Sequence, residues 1–326
     1  MRALPDEPDP PVSPDVLEQL HRDLLRRKRR TFLLVSPLLV LAGVAWVVSL
    51  KDPRHLGGMA FFAVVIVAMI AQVGYVWWEL HRADPVQLYE REQADEERRH
   101  AELIAHEART ATVRPIASLS LTAAILLVTA VQIIWRQPQQ WLTAGALVKP
   151  AVRAGEWWRL LTASYLHGSV MHILANAGAL MMLGRLIETY DRPLRIPLIY
   201  LLSAIGGNVL STLAFPQPGL GASGGILGLA GYLVVVARRP GAGIPEFVRR
   251  RMLSILGMAA LTGTAAYYFI DNAAHAGGAI TGALLALLLP PAQPSDPFDG
   301  VDMAGFLASV VLAGGAAFTI YRLLAA

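Results

Sequence analysis

Polar and apolar positions in this chain fall into long alternating blocks. Apolar runs lie at about 31–50, 57–78 and 115–135, and again at about 169–190, 196–215, 222–237, 252–269, 273–290 and 303–323. A helix crosses a bilayer core with roughly 20 apolar residues. Lipid offers no partner to backbone N–H and C=O groups, so each run predicts a helix that satisfies its own backbone. Several runs are short and predict tilt or local thinning of the bilayer. The fold class expected is an all-α polytopic membrane protein.

The polar blocks divide the chain. Residues 1–12 are rich in Pro and Asp and are expected to be disordered. Ser13-Pro14 predicts a helix start, with Leu17, Leu20, Leu24 and Leu25 as its apolar stripe. That helix ends in Arg26-Arg27-Lys28-Arg29-Arg30, read as a basic anchor at the membrane face. Residues 79–114 carry mixed charge, including Glu90, Arg91, Glu92, Asp95, Glu96, Glu97, Arg98 and Arg99, and predict a solvated helix between two membrane units. The connection 136–168 is too polar for a span. Its Trp141, Trp157, Trp158 and Tyr165 predict a segment at the headgroups or dipping into the bilayer. The division expected is a cytoplasmic polar and basic segment (1–30), a two-span hairpin (31–78), a charged cytoplasmic linker (79–114), a second membrane unit (115–290), and a linker with one further span (291–326).

Basic residues set the orientation. Arg26 to Arg30 place the N-terminus inside, and Arg82, Arg91, Arg98, Arg99, Arg109 and Arg114 place 79–114 inside. By odd–even count the loops with Arg185, Arg192 and Arg195 and with Arg238, Arg239, Arg249, Arg250 and Arg251 are also inside. The turns 215–221 and 269–273, outside by this count, contain no Lys or Arg. Two segments fit poorly: 136–168 is outside despite Arg136, Lys149, Arg153 and Arg159, and 291–302 is inside with Asp296, Asp299 and Asp302 as its charges. The location expected is a bacterial inner (plasma) membrane with the N-terminus cytoplasmic.

Composition agrees with this class. The 326 residues are 55% hydrophobic and 16% charged, where soluble domains carry about 25% charge. A net charge of +4 is no signature of nucleic-acid binding, and the absence of Cys excludes thiolate chemistry and disulfides. The polar first 30 residues do not read as a cleavable signal.

The candidate chemistry lies where three apolar runs begin. Ser223 stands among glycines in Gly219-Leu220-Gly221-Ala222-Ser223-Gly224-Gly225, His275 follows Asp271-Asn272-Ala273-Ala274, and His167, His172 and Asn176 open a third run. These helices all run from outside to inside, so His172, Ser223 and His275 share a depth near the outer face, with Asn176 one turn deeper on the face of His172. Polar groups at that depth normally face a bundle interior or a water-filled cavity. Side-chain chemistry makes Ser223 a nucleophile and His275 its general base and then general acid. No acid stands out as an orienter, which favours a dyad; Asp271 is read equally well as a helix cap. The Ser223 N–H at a helix N-terminus, with the His172 and Asn176 side chains, would receive an oxyanion. Gly224 and Gly228, with Gly278 and Gly282, form small-xxx-small pairs that would let two helices approach. Gly221 to Gly225 also match the G-x-S-x-G elbow of soluble hydrolases, but Pro216-Gln217-Pro218-Gly219 argues against the strand that elbow needs.

Residues 115–290 resemble the rhomboid intramembrane serine proteases. The resemblance rests on Trp158-Arg159, His172-x-x-x-Asn176, Gly221-Ala222-Ser223-Gly224 and Ala274-His275-x-Gly277-Gly278-x-x-x-Gly282, in that order. It implies a six-helix core, here with two extra N-terminal spans and one extra C-terminal span. It also implies Ser223 as nucleophile, His275 as base, His172 and Asn176 at the oxyanion, and His167 as a loop support. No cofactor or metal is implied; the partners are single-span membrane protein substrates and the lipid bilayer. Many rhomboids carry Tyr or Phe four residues after the serine, stacked on the base, where this chain has Leu227. The alternative is a catalytically inactive relative that binds membrane helices. A transporter would show internal repeats, and none is evident. Glu188 is read as a structural group beside Arg185, His100 and His106 as solvated, and Tyr267 and Tyr268 as interfacial.

Overall fold

The computed structural model describes residues 85–326 except 136–139, 266–269, 291, 293, 295 and 326, together with Gln19 and Arg22. The expected spans at 31–50 and 57–78, the basic run at Arg26–Arg30, and Tyr267 and Tyr268 lie outside the described residues. The chain divides into two compact units, 1–102 and 103–326, and the second holds everything below.

Helix α1 (Pro85–Thr112) runs across that division, and α2 (Ile116–Ile134) follows it. Three short helices, α3 (Gln140–Ala144), α4 (Lys149–Arg153) and α5 (Arg159–Thr162), and a 3-10 turn at Ala163–Tyr165 fill the long connection. Then come α6 (Val170–Tyr190), α7 (Arg195–Ala214), α8 (Ser223–Val236), α9 (Glu246–Ala265), α10 (Asn272–Leu288) and α11 (Gly300–Ala325). Among the described residues the β-structure is a single bridge, Leu147 to Gly219. Helices α2, α6, α7 and α11 are long and apolar enough to cross a membrane, and α8 and α10 are shorter apolar helices. The chain is an all-α multi-pass membrane protein. The span expected at 252–269 begins six residues earlier, so Arg249, Arg250 and Arg251 lie on the first turns of α9 rather than in a loop.

Among the described helices, α7, α8 and α10 pack against one another most extensively. A Cβ at Gly278 would overlap the carbonyl of Gly224, and one at Gly282 the carbonyl of Gly228. The backbones touch there because neither helix has a side chain to hold them apart. With its 14 residues, α8 rises ~21 Å, against a hydrocarbon core of ~30 Å. A helix surrounded by others need not reach both faces, and α8 is buried along most of its length.

Several described charges that fit the orientation rule poorly have structural roles. Arg159 is buried and donates to the carbonyls of Leu142 and Ala146 at 2.8 Å each, with Glu156 2.6 Å from its Nε. Lys149 is buried too. These cations answer local carbonyls and carboxylates, so they do not report membrane sidedness. Conversely, Arg192 pairs with Asp299 at 2.8 Å and with Asp302, so these two aspartates stand at the end of the bundle where the Arg192 loop lies. Arg195, counted above among loop charges, is wholly buried against Asp191 (3.1 Å) and the Tyr232 hydroxyl (3.0 Å).

Helix α11 reaches from that end to the connection at the other. Its Leu312 carbonyl accepts from Tyr165 at 2.7 Å, and Arg322 stacks over Trp158, 4.5 Å from the ring centre. Tyr165, expected at an interface, is buried for that reason. Glu188 does not pair with Arg185. It accepts from the Ala117 N–H at 2.9 Å and from the Ser118 hydroxyl, placing a carboxyl at the N-terminus of α2. His106, expected to be solvated, lies 2.6 Å from the Tyr190 hydroxyl and packs edge-on against Phe247.

Candidate active site

Three helix starts build the site, and they are capped differently. Ser169 caps α6 by accepting from the His172 N–H at 3.2 Å. Asp271 caps α10 by accepting from the Ala274 N–H at 2.9 Å. The residue before α8 is Ala222, which has no side-chain acceptor, and no cap hydrogen bond is made there. The first-turn N–H groups of a helix have no intrahelical partner, so α8 keeps donors and a positive dipole end beside Ser223.

Ser223 is the first residue of α8 and His275 lies in the first turn of α10. Their side chains meet: Oγ of Ser223 is 2.7 Å from Nε2 of His275. Both are half-buried. The close backbone contact at Gly224 and Gly278 lets the two helix starts approach this closely. The other ring nitrogen of His275, Nδ1, is buried and meets no protein acceptor. If the serine hydroxyl donates to Nε2, Nδ1 carries the proton and no carboxylate orients it. Asp271 caps the helix and does not reach the ring nitrogen.

Gly221, two residues before the serine, has φ +129°, a left-handed conformation open to glycine. A Cβ there would also stand 2.8 Å from Cε1 and 2.9 Å from Nε2 of His172, and 3.8 Å from Oγ of Ser223. His172 and Ser223 therefore flank one small space, kept open by the missing side chain. The Gly221 N–H donates to the Ala163 carbonyl at 2.9 Å, which fixes the loop to the connection below it.

Asn176 is buried one turn along α6, and its Nδ2 lies 3.0 Å from Nε2 of His167. With Nε2 accepting, the other ring nitrogen of His167 holds the proton, 3.1 Å from the Thr129 hydroxyl and 3.3 Å from the Tyr165 carbonyl. The His167 backbone is bound in both directions by the Gln132 amide, at 3.0 and 2.9 Å. Burial, and secondarily the neighbouring His172, pull His167 down to about 4, so it stays neutral. Each sequence-derived residue, Ser223, His275, His172, Asn176, His167, Gly221 and Gly224, thus lies in one region, with Asn176 reaching the others through His167 and α6.

Sequence reasoning missed Thr129, Gln132, Ser211 and Lys149. A glutamine and a threonine inside an apolar run carried a signal, since polar groups in spans need partners. Among the described residues no group of three or more His, Asp or Glu stands close enough to hold a metal ion.

The sequence was compared with known proteins. Residues 154–292 match the family model of the Rhomboid domain. The chain is similar to RHOMBOID-like protein 4 of Arabidopsis thaliana, 36% identical over 149 residues, which are 45% of this chain and 38% of that protein. It is similar to Rhomboid protease GluP of Bacillus subtilis, 37% identical over 150 residues, 45% of this chain and 29% of that one. A third relative, Rhomboid protease AarA of Providencia stuartii, is 31% identical over 168 residues, 44% of this chain and 59% of that one. The chain spans less than two thirds of the length of each.

Proposed function

We propose that this chain, whose residues 154–292 match the Rhomboid domain, is a rhomboid-family serine endopeptidase that cuts membrane helices near the outer face of the bilayer. The observation that carries this reading is the 2.7 Å approach of Ser223 Oγ to His275 Nε2 beside an uncapped helix start.

In the proposed reaction His275 takes the Ser223 proton through Nε2 as Oγ bonds to the scissile carbonyl carbon. The carbonyl oxygen becomes an oxyanion facing the free N–H groups of α8, with the His172 ring across the gap at Gly221 and the second N–H of Asn176 as further donors. The imidazolium gives its proton to the leaving amine, leaving an acyl-enzyme on Ser223. His275 then takes a proton from water, whose oxygen attacks the ester carbonyl and restores the serine. The Nδ1 of His275 lacks an acid, so the imidazolium is stabilised less than in a triad.

The substrate class proposed is the single-span membrane protein. A continuous helix hides its carbonyls in its own hydrogen bonds, so a segment that unwinds near the cut, with Gly or Pro beyond it, suits this site. The orientation proposed keeps the N-terminus and 79–114 inside and the Ser223 end of α8 outside, with 115–290 as the catalytic core. The relatives come from bacteria, plants and a mouse, and one is named mitochondrial, so the family favours no compartment and the bacterial assignment loses its ground.

The test is capture of Ser223 by a fluorophosphonate together with cleavage of a model membrane helix. Wild type should do both and Ser223→Ala neither. Helix binding without labelling or cleavage would replace this reading with the inactive helix-binding relative.

A further inference from the structure

One buried lysine touches the segments on both sides of the dyad. Lys149, the first residue of α4, is 3% exposed. Its ammonium donates to the Gln217 carbonyl in the loop that leads to Ser223. It also lies 3.6 Å from Oδ2 of Asp271 and 5.5 Å from the centre of the Phe215 ring. Asp271 uses Oδ1 to cap the helix that carries His275, and its Oδ2 accepts from the Ser211 hydroxyl near the end of α7. The Asp271 carbonyl accepts from the His275 N–H itself, at 3.1 Å. Two residues before Lys149, Leu147 exchanges hydrogen bonds with Gly219 at 2.8 and 3.2 Å. The loop before Ser223 and the start of α10 are therefore joined through one ammonium and one carboxylate.

Such a pair is costly to bury and costly to break. An ammonium out of water needs a countercharge and acceptors, and removing one partner leaves the other uncompensated. Burial pulls the Lys149 ammonium down, and Asp271 opposes that pull. Packing alone could have been met by an apolar residue. What the charges add is a fixed direction between two loops that no strand or disulfide connects.

We propose that Lys149 and Asp271 are a positioning pair: their contact sets the separation of Ser223 and His275 by tying the Gln217 loop to the N-cap of α10. This rests on the reading of Ser223 and His275 as nucleophile and base. Neither member touches the reacting atoms. The pair therefore acts on the rate of the chemical step and leaves the binding of a substrate helix alone.

The test uses the full-length protein with Lys149→Met, Asp271→Asn and the double variant. Methionine keeps the apolar bulk of the lysine stem, and asparagine caps a helix about as well as aspartate. Each single variant should lower kcat about tenfold, with KM changed less than about twofold, and should slow fluorophosphonate capture of Ser223 by the same factor. The double variant should be no slower than the slower single one, because the pair acts as a unit. If Lys149→Met fails to accumulate, Asp271→Asn decides by the same two rates. Single variants that match wild type in kcat and labelling, or losses that multiply in the double variant, overturn the proposal. A wild type that neither labels nor cleaves overturns the protease reading and this inference with it; a labelled wild type equalled by both single variants overturns this inference alone.

Discussion

The amide nitrogen of Asn176 lies 3.0 Å from Nε2 of His167, so one of its two N–H bonds is committed to a neighbour. His167 is in turn held by Thr129 and Gln132 from α2. An oxyanion donor gains from such support, since donors that are already oriented need no reorganisation during the reaction. Asn176→Ala should lower kcat about tenfold, or about 1.4 kcal/mol, because the N–H groups of α8 and His172 remain. His167→Ala should produce a similar loss by freeing the amide, and the double variant should lose little more than either. Cleavage rates of a model membrane helix measure this; losses that multiply would separate the two residues.

Removing either member of the dyad should be far worse. Ser223→Ala and His275→Ala are expected to be inactive, since among the described residues His275 is the base hydrogen-bonded to Oγ of Ser223. Fluorophosphonate labelling should survive weakly in Asn176→Ala and vanish in His275→Ala. A His275→Ala enzyme more active than Asn176→Ala would assign the base elsewhere.

The glycines offer a contrast within one protein. A methyl at Gly278 overlaps the backbone of α8 at Gly224, whereas one at Gly314 on α11 meets nothing within 4 Å. Overpacking costs about 1–3 kcal/mol where neighbours must shift, and here the neighbour is backbone. Gly278→Ala should lower the melting temperature in detergent and reduce cleavage, because it moves His275 away from Ser223. Gly314→Ala should leave both unchanged. Equal melting temperatures for the two variants would refute the close-contact account.

The acidic linker before α11 makes a second contrast. Asp302 and Arg192 are both buried in their pair, while the side chain of Asp299 is 41% exposed. Breaking a buried pair costs about 3–5 kcal/mol, whereas a pair with one partner in solvent is screened. Asp302→Ala should therefore destabilise strongly, and Asp299→Ala less, through the N-cap it removes at Val301 and Asp302 rather than through its exposed pair, as read by thermal unfolding.

His167 predicts a pH dependence of stability. Its folded value of about 4 lies below the ordinary 6.5 because burial disfavours the charged ring. The folded state thus binds fewer protons than the unfolded one between those values. Its contribution is complete above about pH 6.5 and is lost as the pH falls toward 4. The melting temperature should drop across that window, and His167→Gln should make the drop shallower. Identical slopes for the two proteins would exclude His167 as a contributor.

The sequence alone determined the helices of the second unit, because hydrophobic runs of fixed length in lipid have one way to satisfy their backbone. It also marked Ser223, His172, Asn176 and His275, because polar groups at the starts of apolar helices are conspicuous, and the glycines that space them repeat every four residues. It could not say which charges were internal. Lys149, Arg159 and Arg195 look like loop cations in one dimension; folding buries each against carbonyls and carboxylates, some a turn away and some distant in the chain. Nor could it choose between two uses of Asp271, since a cap and an orienter of His275 both suit an aspartate one turn before a histidine. That choice depends on the direction of the carboxylate, and its direction is set by Ala274, Ser211 and Lys149, brought together from three separate segments. Tertiary structure decided these points because electrostatic partners are selected by distance in space, whereas helices are selected by composition along the chain.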